Sequence, residues 1–203
     1  MVKYMVAIAA VAMLAFGGTS YLRAEQQGDL AIGKPAPDFS LQDQDGKTVS
    51  LSELKGKVVV LEWFNEGCPF VVKFYKDGHM NQWAEKYKGQ GVVWLAVNST
   101  HTATQESNKE IHGKWNINHP ILNDASGDTA RNYQSKNTPT IYIIDKEGNL
   151  AYWGGVDNKP TSETSDISGA TNYVAKSLDE VLAGKPVSEP RTKPYGCSIK
   201  YAK

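Results

Sequence analysis

Apolar positions along this chain gather into short blocks of two kinds, separated by turn residues. Val58 to Phe64 is a continuous apolar run broken only by Glu62, and Val92 to Asn98 is a second. Runs of this length suit buried central strands. Asn65–Glu66–Gly67–Cys68–Pro69 reads as a tight connection out of the first run. Pro69 suits the first turn of a helix, where its missing N–H is no loss. That helix is predicted from Pro69 towards Lys88, interrupted near Gly78 and stopped by Gly89–Gln90–Gly91.

Upstream, Phe39 and Leu41, then Val49 and Leu51, flank a polar stretch and predict a β-hairpin turning at Asp45–Gly46. Downstream, the spacing predicts a helix over Thr102 to Trp115, a short strand over Pro120 to Leu122 and a helix over Ser126 to Gln134. Thr140 to Ile144 and Leu150 to Trp153 read as two strands joined by a hairpin at Asp145–Asn149. Residues 157–168 are polar and read as a loop, and Ala170 to Ala183 as a last helix closed by Gly184 and Pro186. Alternating strands and helices predict an α/β fold. Its central sheet is mixed, flanked by helices on both faces, and extended by the N-terminal β-hairpin.

The first residues differ from the rest. Lys3 precedes an apolar run from Met5 to Phe16, then Gly17, Gly18, Thr19 and Ser20. A charged start, a short apolar stretch and small residues are the layout of a secretory signal. A membrane span needs about 20 apolar residues. The expected organisation is a signal peptide over 1–24, with an uncleaved anchor as the alternative. A polar linker follows over 25–34, the domain over 35–185, and a tail over 186–203 that carries Cys197. The body is then exported, to the periplasm in a bacterium, with no stable membrane insertion once the signal is cleaved.

With 203 residues, 40% of them hydrophobic and 22% charged, the chain can build one well-filled core. Its formal net charge is zero. With no basic field, nucleic acid is not an expected partner.

Export changes how the cysteines read. There are two, Cys68 and Cys197, and an oxidising compartment permits them to pair. A domain of this size folds without such a staple, so the local setting of Cys68 decides its role. It stands between a buried strand and the start of a helix, where unpaired N–H groups favour an anion and lower a thiol pKa. Cys197 either resolves chemistry begun at Cys68 or is an unpaired tail thiol. Glu62, a carboxyl within an apolar strand, is either a raised-pKa proton shuttle or a strand-end partner of Lys57 or Lys73. His79, His101, His112 and His119 show no metal-ligand spacing with one another or with either cysteine. No metal and no cofactor is expected.

Val59 to Cys68 resembles the active-site strand and loop of thioredoxin-like proteins, with Glu62 at the position of their buried acid. Asn137–Thr138–Pro139–Thr140 resembles their cis-proline loop, and Gly33 to Phe39 resembles the opening of the alkyl hydroperoxide reductase/thiol-specific antioxidant (AhpC/TSA), peroxiredoxin-like family. The resemblance spans about residues 32–183. Two departures bear on chemistry. Val71 stands where thioredoxins carry their second cysteine, and Asn65 where peroxiredoxins carry a Thr or Ser. The Gly196–Cys197–Ser198–Ile199–Lys200 tail is similar to tails of the same group. What the resemblance implies is a thiol–disulfide oxidoreductase, with thiol peroxidase or a non-catalytic binding module as alternatives. Cys68 is then the nucleophile, Glu62 its proton partner and Cys197 the resolving thiol. Pro139 supports substrate beside the sulfur, and Gly67, Pro69 and Thr138 touch substrate. Its partners are protein or small-molecule disulfides and thiols, with a thioredoxin-like protein as reductant.

Overall fold

The computed structural model describes residues 30–202; the expected signal peptide lies outside them. Seven strands form one sheet in the order β2-β1-β5-β4-β3-β7-β8. They are β1 (Ser40–Gln42), β2 (Thr48–Ser50), β3 (Val58–Phe64), β4 (Val92–Asn98), β5 (Ile121–Asn123), β7 (Ile141–Ile144) and β8 (Leu150–Gly154). A second, two-stranded sheet pairs β6 (Asn137–Thr138) with β9 (Cys197–Ser198). The helices are α1 (Pro69–Tyr75), α2 (His79–Lys88), α3 (Gln105–Lys114), α4 (Asp128–Asn132) and α5 (Tyr173–Leu182).

β3 is the centre, as its apolar run predicts. All seven of its residues are buried. It pairs parallel with β4 and antiparallel with β7, so the sheet is mixed. Its side chains alternate between the two faces. Val58, Val60 and Phe64 pack against α1, α2 and α5 through Val71, Phe74, Met80 and Leu178. Val59, Leu61 and Trp63 pack on the other face with Phe39, Leu51, Ala130 and Tyr133. The N-terminal hairpin turns where expected, at Asp45–Gly46: Asp43 Oδ1 accepts from the N–H groups of Asp45 and Lys47, and Gly46 has φ +79°. It joins the sheet edge through a β1–β5 pair.

The expected interruption near Gly78 is real. Gly78 adopts φ +74°, and two separate helices meet there. Other boundaries shift by a few residues, for local reasons. The helix predicted from Thr102 starts at Gln105 because the Thr104 hydroxyl caps it, accepting from the Ser107 N–H. The last helix starts at Tyr173 because Asn172 caps it.

Two flanking segments pack against the domain. The segment 25–34, read as a polar linker, is docked from Leu30 onward. Leu30 is buried in the core, Gly33 N–H donates to the Leu150 carbonyl, and Leu150 N–H donates to Lys34. The tail that carries Cys197 folds back over the domain. Trp153 N–H donates to the Pro190 carbonyl, Ile199 N–H to Lys136, and the Tyr201 hydroxyl to Ser135. Neither segment shows periodicity, because each is held by scattered backbone bonds rather than by an apolar face.

Candidate active site

The end of β3 delivers the loop that holds Cys68. Asn65 shapes it: its Oδ1 accepts the Gly67 N–H at 2.8 Å, its Nδ2 donates to Thr100 Oγ1 at 2.6 Å, and its carbonyl accepts the Cys68 N–H at 3.1 Å. Cys68 is the N-cap of α1, and Pro69 opens the helix, as expected. α1 has only seven residues, so individual donors rather than a long dipole act on the sulfur.

Opposite lies the loop Asn137–Thr140. The Thr138–Pro139 peptide is cis. Trp63 N–H donates to the Thr140 carbonyl at 2.8 Å and ties the loop to β3; the Thr140 hydroxyl closes it on the Asn137 carbonyl. The Cys68 thiol donates to the Thr138 carbonyl at 3.0 Å. The Thr138 hydroxyl is buried without a hydrogen-bond partner. The proline loop and the thiol therefore face each other.

The tail brings the second cysteine there. Thr138 pairs with Cys197 and Asn137 with Ser198 in an antiparallel ladder. Gly196 permits the approach. Its φ is +128°, and a Cβ there would run into the Thr138 carbonyl. The ladder sets Cys197 beside Cys68, close enough to act on the acidity of its thiol. The tail also covers the site: Cys68 is only 1% exposed.

The two thiols differ in acidity. Burial works against ionisation of Cys68, but hydrogen bonds from Thr138, from the thiol and N–H of Cys197 and from the Val71 N–H outweigh it, and its pKa falls below the ordinary thiol value. Burial pushes Cys197 up to about 11, and its hydrogen bond with Cys68 adds to this. Cys68 is thus the more acidic thiol of the two and Cys197 the less acidic.

Glu62 lies on the same face of β3 as Phe64 and is fully buried. Its Oε2 accepts from the Tyr75 hydroxyl at 3.0 Å and from Trp94 Nε1 at 3.2 Å, while Oε1 has no partner. Burial raises its pKa to about 7, against the pull of those two donors. Pairing with Lys57 or Lys73 is ruled out for a plain reason: Glu62 sits mid-strand, and the Lys73 ammonium is bound at 3.2 Å to Asp157, with the Lys159 carbonyl and the Tyr195 hydroxyl as further partners.

Gly67 and Pro69, the neighbours of Cys68 in sequence, line an open cleft of about 560 Å³ together with Ser162 and Thr164. Sequence reasoning missed His119, whose Nε2 lies 3.1 Å from the Tyr75 hydroxyl, and the Lys73–Asp157–Tyr195 cluster beneath the tail. No pattern marks either, because their partners come from distant elements. Among the described residues no group of three or more His, Cys, Asp or Glu is arranged to hold a metal, and no helix is long and apolar enough to cross a membrane.

Comparison with known proteins places this geometry. The AhpC/TSA family pattern matches residues 32–153. The chain is 31% identical over 121 residues to the thiol-disulfide oxidoreductase ResA of Bacillus thuringiensis subsp. konkukian, covering 60% of this chain and 68% of that one. It is 30% identical over 171 residues to a Synechocystis protein carrying a provisional peroxiredoxin name, covering 75% and 84%. A solved hypothetical protein from Sinorhizobium meliloti 1021 superposes with TM-score 0.72 at 28% identity, over 85% of this chain and 95% of its own. The fold is thioredoxin-like, as the sequence implied.

Proposed function

Because the chain belongs to the AhpC/TSA family, we propose that it is a thiol–disulfide oxidoreductase whose working pair is Cys68 and Cys197. The observation that carries this reading is that Thr138 pairs with Cys197 in the ladder while its carbonyl accepts the Cys68 thiol at 3.0 Å, which brings the two cysteines to one residue. A second thiol poised on the nucleophile replaces the one that Val71 displaces from the helix.

The chemistry follows from the acidities. Cys68 loses its proton to the Glu62 carboxylate and attacks one sulfur of a substrate disulfide. A Cys68–substrate bond forms, the substrate S–S bond breaks, and the first thiolate leaves. Cys197 then attacks the Cys68 sulfur, forming the Cys68–Cys197 disulfide and releasing the second thiolate. The protons of Cys197 and of Glu62 go to the two departing thiolates. The substrate gains two electrons and the enzyme loses them; the reverse sequence oxidises a dithiol. Pro139 and Thr138 support the substrate sulfur, and Gly67 and Pro69 form the approach from the cleft. Docked, the tail leaves Cys68 no access, so it must swing away for substrate and return to resolve.

Protein or small-molecule disulfides and thiols are the substrates of such a site, and a thioredoxin-like reductant would recycle it. The leader-like N-terminus supports placing it outside the cytoplasm. The similarity to a protein named for peroxiredoxin activity supports a second reading, thiol peroxidase. Asn65 speaks against it. Both ends of its amide are engaged with Gly67 and Thr100, so no hydroxyl faces the sulfur from that position.

Turnover of a protein disulfide such as insulin, measured beside consumption of hydrogen peroxide, tests the assignment. Disulfide reduction should be lost in Cys68→Ser and should stall as a mixed disulfide in Cys197→Ser. Unchanged reduction by Cys68→Ser, or peroxide consumption outrunning disulfide reduction, would overturn it.

A further inference from the structure

Glu62 is tied to groups that its assigned role leaves unused. Its carboxyl faces three elements: Tyr75 of α1, Trp94 of β4, and His119 at the entry to β5. His112 of α3 acts on His119 at longer range.

The protonation of His119 can be read from its neighbours. Asn118 Nδ2 donates to the Asn81 carbonyl at 2.9 Å, which fixes that amide. Its Oδ1 then faces His119 Nδ1 at 3.1 Å, so Nδ1 carries the hydrogen. Nε2 is therefore a bare acceptor, 3.1 Å from the Tyr75 hydroxyl. Burial, with the charge of His112 adding, holds His119 near a pKa of about 3, so it stays neutral.

Tyr75 thus has one proton and two acceptors, Glu62 Oε2 at 3.0 Å and His119 Nε2 at 3.1 Å. It satisfies one of them at a time. When Glu62 is ionised, the charge-assisted bond wins and Tyr75 donates to the carboxylate. When Glu62 is protonated, its own O–H donates to the Tyr75 oxygen, and the freed hydroxyl turns to His119.

We propose that Tyr75 and His119 form a two-position hydrogen-bond switch that keeps the buried Glu62 carboxyl bonded in both of its protonation states. Both are positioning residues that act through Glu62. Without the switch, one protonation state would leave the Tyr75 hydroxyl without an acceptor in the core, where a stranded polar group is costly. A carboxyl able to change state inside the core is what a proton store for Cys68 requires. This inference rests on the reading of Glu62 as that store, and its test needs no turnover.

The test is a pH titration of the isotope-labelled, full-length protein by NMR, following the Glu62 side-chain carboxyl and His119 Nε2 together. Nε2 should move from a free to a hydrogen-bonded nitrogen shift as Glu62 takes up its proton, with one shared midpoint. In Tyr75→Phe, Glu62 should still titrate while Nε2 no longer follows. Glu62→Gln, which is always neutral, should hold Nε2 at its acid-side shift throughout and serves if Tyr75→Phe does not fold. An Nε2 signal that ignores the Glu62 titration, or follows it equally in Tyr75→Phe, would overturn the switch. An inactive enzyme with the expected shifts would overturn the proposed function and leave the switch standing.

Discussion

Thr138 and Cys197 face each other across a two-residue antiparallel ladder, and the same Thr138 carbonyl accepts the Cys68 thiol at 3.0 Å. One residue of the proline loop therefore holds both sulfurs in place. The two cysteines are far apart in sequence, and the docked tail is what closes that distance. The site is complete only when the last dozen residues lie on the domain.

That dependence makes Gly196 a sensitive position. A side chain there meets backbone, not a flexible neighbour, and the left-handed φ of +128° disfavours any other residue. Gly196→Ala should undock β9. Alkylation of Cys68 by a small neutral reagent should rise about tenfold or more, since the cover is gone, and global stability should fall by only about 1–3 kcal/mol. Unchanged alkylation would mean that the tail does not gate the thiol.

Beneath the tail, Lys73 and Asp157 form an ion pair with side chains 0% and 2% exposed, and Tyr195 donates to the same aspartate. Removing one partner strands a buried charge. Lys73→Met should destabilise the fold by about 3–5 kcal/mol in urea denaturation, whereas Lys73→Met with Asp157→Leu should recover much of that. Tyr195→Phe leaves the ion pair intact and should loosen mainly the tail. A double variant as unstable as the single one would contradict this account.

Glu62 gives a pH signature. Its pKa stands at about 7 in the fold against an ordinary 4.5, because burial disfavours the charge. Between these values the folded state holds a proton that the unfolded chain has lost, so this group's contribution to stability falls as pH rises from 4.5 to about 7. The penalty above that window is roughly 3 kcal/mol. Glu62→Gln should therefore gain stability over the native chain progressively across the window. The difference between the two unfolding free energies should be flat on either side. A difference independent of pH would show that the carboxyl does not titrate in the core.

Much of this is legible in the amino-acid sequence. The apolar run of β3 with one acid inside it announces both a central strand and a perturbed carboxyl, because periodicity and burial act locally. Cys68 was legible for the same reason: strand end, glycine, cysteine and proline together specify a helix start. The tail was not, since its anchors are single backbone bonds and isolated aromatic side chains such as Tyr195 and Tyr201. His119 was equally silent. Its partner Tyr75 comes from α1, and no spacing along the chain encodes a contact made across the fold. Leu30 was hidden because one buried leucine in a polar stretch carries no period.

Whether Cys68 and Cys197 act as one redox couple is decided by a redox titration of the native chain, read by mass spectrometry of differentially alkylated peptides. Both thiols should disappear together in a single two-electron transition, yielding one intramolecular Cys68–Cys197 peptide pair. Oxidation of Cys68 alone, with Cys197 remaining a free thiol at every potential, would contradict the account.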